Sequence, residues 1–244
     1  MAIDTVILDI EGTVCPITFV KDKLFPYFLD KLPSCLDAIQ FPLSRNASQD
    51  PIVEILSQLP PDITTSSNAT FSHFKNLVEN DVKDPVLKSL QGLVWKHGYQ
   101  SGELQSPVYK DSVDFIESFP TQHKGKIYIY SSGSIPAQKL LFSHVYNQGA
   151  SSAIDLNPKL SGYFDITTAG SKQEASSYAK ILDQIEKQAD PKSVLFLSDN
   201  LKEVEAAIEA GVNSYIVVRQ GNAPISQSHL SKHKVIETLA GLDL

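Results

Sequence analysis

The chain has 244 residues, 42% of them hydrophobic and 20% charged, an ordinary composition for a folded protein with a sizeable core. A formal net charge of −7 argues against a general nucleic-acid binder, and no apolar run approaches the ~20 residues of a membrane helix. Cys15 and Cys35 have no metal-ligand spacing and no secretory leader precedes them, so they read as reduced thiols of a cytosolic protein, with nuclear distribution open. Without secretion, the sequons at Asn46 and Asn68 carry no weight.

The first run, Thr5-Val-Ile-Leu-Asp-Ile10, predicts a buried strand, and Glu11-Gly12-Thr13 follows it. Side chains two apart on a strand share a face, so Asp9 and Glu11 are expected to converge just beyond the sheet edge. Gly12 lets the chain turn there. Ligands of open parallel sheets bind outside such carboxyl ends, although acids also end strands simply because loops are solvated.

Residues 19–39 and 71–97 carry apolar positions at three- and four-residue spacing and read mainly as helix. Between them, residues 44–70 are rich in Ser, Thr, Asn and Pro and suggest loops around a short helix at 52–59. Roughly a hundred residues thus separate the first strand from the next, far beyond the ~dozen that one crossover needs. The expected division is a core of residues 1–15 and 109–244 with an inserted helical cap at 16–108.

The second strand, residues 126–130, delivers Ser131-Ser132-Gly133-Ser134. Hydroxyls and free N–H groups at a helix start suit phosphate oxygens. An ordinary N-cap, Ser134 before Ile135-Pro136, explains the same residues. A weaker strand at 163–167 precedes Ala169-Gly170-Ser171 and Lys172, where a lysine could offset charge on a nucleophile and a phosphoryl group. The third main strand, 193–197, ends in Ser198-Asp199-Asn200, with Glu203 in the first turn of a helix at 201–209. Carboxylates from two strands suit Mg²⁺, which takes hard oxygen ligands. For Glu203 the plain reading, completion of a helical turn, carries comparable weight. A last strand is expected at 214–218. Runs that are apolar on both faces and alternate with helices make this an α/β protein with a doubly wound parallel sheet.

Asp9-x-Glu11-Gly12-Thr13, Ser131-Ser132-Gly133, Lys172 and Ser198-Asp199-Asn200, in that order at strand ends, resemble the four signature motifs of the haloacid dehalogenase superfamily. A closer resemblance is to its enolase-phosphatases, also called acireductone synthases. It is carried by Phe19-Val20, Leu24-Phe-Pro-Tyr27, Gln91-Gly-Leu-Val-Trp95, Gly98-Tyr99, Ser101-Gly-Glu-Leu104, Ala137-Gln-Lys-Leu-Leu-Phe142, Ser176-Ser-Tyr178 and Val217-Val-Arg-Gln-Gly-Asn222. Glu11, where most of the wider superfamily has Asp, is typical of this family. Val14, the Cys15-Pro16 hinge and residues 44–70 depart from the pattern.

The resemblance implies a Rossmann-like core and an enzyme of methionine salvage. Its substrate would be 2,3-diketo-5-methylthiopentyl-1-phosphate, enolised and then hydrolysed to acireductone and phosphate. Asp9 would be the nucleophile, Glu11 the general acid and base, and Asp9, the Glu11 carbonyl and Asp199 the Mg²⁺ ligands. Ser131, Ser132 and Lys172 would bind the phosphoryl group. Phe19, Phe25, Trp95 and Tyr99 are candidates for the thioether tail, although aromatics at helical spacing are usually core. The expected partners are the small phosphorylated diketone alone, with no nucleic acid and no membrane, and a monomer is expected. A Mg²⁺-dependent phosphatase of another small phosphomonoester is the main alternative, followed by a metal-free dehalogenase and a catalytically dead binding protein.

Overall fold

The structure is a computed structural model that describes residues 2–44, 49–147, 152–242 and 244, so the Asn46 sequon and part of the 44–70 stretch lie outside the described residues. The chain forms two units, Met1–Phe19 with Gln105–Leu244, and Val20–Leu104.

The first unit is built on a six-stranded, all-parallel sheet of order β3-β2-β1-β4-β5-β6. The strands are β1 (Thr5–Leu8), β2 (Lys126–Tyr130), β3 (Gly162–Phe164), β4 (Val194–Ser198), β5 (Asn213–Val217) and β6 (Val235–Ile236). Strands β1 and β4 lie at the centre and are buried throughout, which is why their sequences are apolar on both faces. After β3 the chain crosses back to place β4 on the other side of β1, and that reversal is where doubly wound sheets open a crevice.

Among the described residues five α-helices accompany the sheet: Lys110–Gln122, Ile135–Ser143, Ala175–Gln184, Leu201–Glu209 and Gln227–Leu230. One core cluster joins Ile7, Tyr130, Val194 and Phe196 of the sheet to Tyr178, Ile181 and Leu182 of the third of these helices. Two strands end earlier than the sequence suggests. β1 stops at Leu8 instead of Ile10, because Ile10 turns its carbonyl to the N–H groups of Thr13, Val14 and Cys15. β3 stops at Phe164, because the Asp165 carboxylate gathers the N–H groups of Thr167 and Thr168 into a turn.

The second unit is helical. A short π-helical segment, Val20–Leu24, leads into Phe25–Asp37, followed by Pro51–Leu56, Ser67–Glu79 and Pro85–Ser101. Side chains of Asp50, Ser66 and Asp84 cap the last three, each accepting a backbone N–H in the first turn. The stretch 71–97 is therefore two helices, separated at Asp84-Pro85. Phe28, Leu32, Leu36, Leu56, Phe74, Leu90 and Val94 fill the unit's core. Trp95 and Tyr99 are buried, and the Trp95 indole N–H donates to the Leu24 carbonyl at 2.9 Å. Among the described residues no helix is long and apolar enough to cross a membrane. Both cysteines are free thiols.

Candidate active site

Strand register sets the levels of the candidate residues. Leu8 pairs with Ile129 and with Leu197, so Asp9 stands level with Tyr130 and Ser198 at the carboxyl edge. One residue further out come Ser131 on one side and Asp199 on the other, and the pairing of Tyr130 with Phe164 brings Asp165 level with Ser131.

Asp9 is buried at 6% exposure. Its Oδ1 accepts from Lys172 Nζ at 2.5 Å, and its Oδ2 lies 3.3 Å from Ser198 Oγ. Lys172 Nζ also reaches Glu203 Oε2 at 2.7 Å, so one ammonium joins two buried carboxylates. The single Ser198 hydroxyl proton favours Glu203 Oε2, at 2.8 Å, over the longer contact to Asp9. Burial alone would push the Lys172 ammonium down, but Asp9 and Glu203 outweigh it and hold the group above its ordinary value. Tyr178 fixes the lysine's backbone by donating its hydroxyl to the Lys172 carbonyl at 2.7 Å, and Tyr130 donates to the Gly170 carbonyl at 2.8 Å.

Glu203 is thus more than the end of a helical turn. It is buried, ion-paired and pushed up by burial and by the Asp9 charge. Its spacing of four from Asp199 was the visible signal, but a helix-cap reading accounts for that spacing equally well. The cap itself is Asn200, whose side chain accepts from Lys202 N at 3.0 Å, and that leaves the Asp199 carboxylate uninvolved in capping.

The turn after β1 is held from several sides. Asp199 N donates to Thr13 Oγ1 at 3.1 Å, Arg219 Nε to the Thr13 carbonyl at 3.0 Å and Asn222 Nδ2 to the Gly12 carbonyl at 2.9 Å. Arg219 is itself locked by Asp111 at 2.8 Å and by the Tyr109 ring, whose centroid lies 4.6 Å away. Gly12 has φ +73°, and a Cβ there would overlap the Asp199 carboxylate, so only glycine serves. Glu11 is half-buried, and with burial and Asp9 its negative charge raises the Cys15 thiol well above its ordinary range.

Asp199 is pushed up to about 7, first by burial and then by the charges of Asp9 and Glu203. Lys172 can balance one of these three acids. The remaining negative charge, with the unpaired buried oxygen Asn222 Oδ1 near Asp199, is the donor chemistry that a hydrated hard cation fits. Among the described residues no three His, Cys, Asp or Glu side chains converge as ligands. A site of two carboxylates, a backbone carbonyl and water does not need them.

Ser131 is buried, and its Oγ accepts from Gly133 N at 3.2 Å, while Ser132 is exposed. Ser134 occupies the N-cap position of helix Ile135–Ser143 but makes no side-chain cap bond. No site role could be read for Arg219, Asn222, Asp165 and Gln138 in the sequence, because each makes at least one of its key bonds to a backbone group of another element.

Residues 3–211 match the haloacid dehalogenase-like hydrolase family. Enolase-phosphatase E1 of Lodderomyces elongisporus is 64% identical over 250 aligned positions, covering 100% of each chain. Its counterpart in Candida tropicalis is 61% identical, again over 100% of each. The solved structure of the UTR4 protein from Saccharomyces cerevisiae has a TM-score of 0.84 at 43% identity, covering 98% of this chain and 100% of that one. CbbY from Rhodobacter sphaeroides, in complex with xylulose-(1,5)bisphosphate, shares the fold at a TM-score of 0.58 and 13% identity, covering 98% and 96%.

Proposed function

The chain belongs to the haloacid dehalogenase-like hydrolases and, among them, to the enolase-phosphatases; from that membership we propose that it is an acireductone synthase of methionine salvage. It converts 2,3-diketo-5-methylthiopentyl-1-phosphate to acireductone and phosphate. One observation carries the reading: a buried Asp9, held by Lys172 at the end of the central strand, in a chain 64% identical end to end to an enolase-phosphatase. The enzyme works as a cytosolic monomer, and the helical unit Val20–Leu104 serves as its substrate-selecting cap.

In the phosphatase half-reaction, an Asp9 carboxylate oxygen attacks phosphorus and the ester P–O bond breaks. Glu11 gives the departing oxygen its proton. Water then attacks the aspartyl phosphate, Glu11 takes a proton from it, and phosphate leaves. Lys172 spends two of its three N–H donors on Asp9 and Glu203, so the third is available to a phosphoryl oxygen. Ser131 Oγ and the Ser132 N–H are the other phosphoryl donors. Asp9, Asp199 and the Glu11 carbonyl would hold Mg²⁺, which would supply the charge neutralisation a carboxylate needs to meet a phosphate dianion.

NMR of the diketone phosphate with enzyme and Mg²⁺ tests the reading. Acireductone and inorganic phosphate should both appear. Hydrolysis of other phosphomonoesters with the diketone untouched would leave a phosphatase of different substrate.

The Asp199 assignment has its own test. With its carboxyl at about 7 in the folded chain and an ordinary value of 3.8, the folded state holds the extra proton between those values. This group therefore makes the metal-free protein less stable as pH rises through that window. A cation on the ionised carboxylate offsets the effect, so Mg²⁺ should raise Tm more at pH 8 than at pH 5. Equal shifts at both pH values would remove Asp199 from the ligand set.

A further inference from the structure

We propose that Asp165 and Gln138 are positioning residues for phosphate recognition, fixing the loop of residues 131–133 from behind without touching substrate. The inference rests on the assignment of Ser131 and Ser132 as phosphoryl donors.

Asp165 is 7% exposed, and both its carboxylate oxygens are engaged. Oδ1 accepts from Thr167 N at 3.0 Å, Thr168 N at 2.8 Å and Thr168 Oγ1 at 3.0 Å. Oδ2 accepts from Ile135 N at 3.2 Å, in the first turn of the helix that follows the serine loop. That helix is therefore capped by a carboxylate from the turn after β3, in place of Ser134. The cap makes the end of β3 and the end of β2 one rigid edge.

Gln138 completes the linkage. It is 2% exposed, and its Nε2 donates to the Gly133 carbonyl at 2.7 Å and to the Phe164 carbonyl at 2.9 Å. Ser131 N donates to the same Phe164 carbonyl at 3.2 Å. The electrostatic consequence concerns Gly133. A carbonyl turned toward a phosphate dianion would repel it, and Gln138 holds this one satisfied against the protein. The negative charge of Asp165 is likewise offset by three N–H groups and a hydroxyl, which lessens its opposition to an anion at the serine loop.

Two variants separate positioning from bulk stability. Asp165→Asn replaces an accepting oxygen with an NH₂ group that must face a backbone donor. Gln138→Met keeps length and apolar volume but frees the Gly133 carbonyl. The readouts are KM and kcat for the diketone phosphate, competitive inhibition by inorganic phosphate, and the Mg²⁺ titration midpoint. KM and the phosphate inhibition constant should rise in both variants, by about tenfold in Asp165→Asn, which loses a buried hydrogen bond to a charged group, and by several-fold in Gln138→Met, which loses neutral ones. kcat should fall by less than that, and the Mg²⁺ midpoint should not move.

Unchanged phosphate inhibition with a lowered kcat would overturn the proposal, and so would a failure of both variants to fold. If only Asp165→Asn fails to fold, Gln138→Met decides. Absence of phosphate inhibition in the parent is a different failure: it would sink the assignment of the serine loop, and this inference with it.

Discussion

An Asp9→Asn variant should fold as well as the parent and release phosphate at least about 10³-fold more slowly, since an amide cannot form the acyl phosphate. The folding half of this expectation follows from charge. Asp9 and Glu203 share a single ammonium, and the Asp9 charge helps raise both Glu203 and the nearby Asp199. Neutralising it leaves Lys172 paired with Glu203 at 2.7 Å and Ser198 bonded to Glu203 at 2.8 Å. The new amide can accept from Lys172 with its oxygen and donate to Ser198 Oγ with its nitrogen. No buried group loses its last partner, so the usual penalty for breaking a buried pair does not apply. Metal-free Tm at pH 8 should match or exceed the parent's, and Asp199 should titrate closer to its ordinary 3.8. Phosphate release within tenfold of the parent would remove Asp9 from the nucleophile's role.

How much of this was legible depends on the kind of partner each residue has. β2 could be read to the residue, because Lys126–Tyr130 owes its form to its own apolar run and the turn residues that follow. The two-residue β6 was invisible, since it is only half-buried and pairs at the sheet edge alone. The break between Ser67–Glu79 and Pro85–Ser101 was written in Asp84-Pro85, a cap followed by a residue that favours the first helical turn. Apolar spacing runs across that break and hid it. Asp9 and Asp199 stood out at the ends of strands, and Lys172, eight residues beyond Phe164, stood out only as a member of the ordered set of motifs. Glu203 gave no such signal, because nothing local distinguishes a solvated first-turn glutamate from one that reaches a lysine of another loop. Asp165, Gln138, Arg219 and Asn222 lay further from view still. Each has a decisive partner among the carbonyl and N–H groups of another element, identical in every residue, so only the fold says which ones lie opposite.

Lys172→Met should be the most destructive single change in the site, and for the opposite reason to Asp9→Asn. The ammonium is the shared counter-charge of Asp9, at 2.5 Å, and Glu203, at 2.7 Å, and both carboxylates are nine-tenths buried or nearly so. Removing one partner of a buried ion pair costs about 3–5 kcal/mol. At roughly 2–4 °C per kcal/mol for a chain of this size, Tm should fall by about 6–20 °C at pH 8 without metal. Protonation of the stranded acids relieves the strain, so the deficit should shrink as pH falls, and Mg²⁺ should recover part of it at high pH. Phosphate release should be lost as well, because the same lysine orients the nucleophile. Stability and activity can then be separated by a second change. When Lys172→Met is combined with Glu203→Gln, Ser198 can still donate to the amide oxygen that replaces the carboxylate, and one stranded charge is gone. The double variant should regain much of the lost Tm but none of the activity, giving a coupling energy between the two positions well outside additivity. A Lys172→Met protein as stable as the parent at pH 8 would mean that the acids are already solvated or protonated, and that the lysine's place between them contributes to chemistry alone.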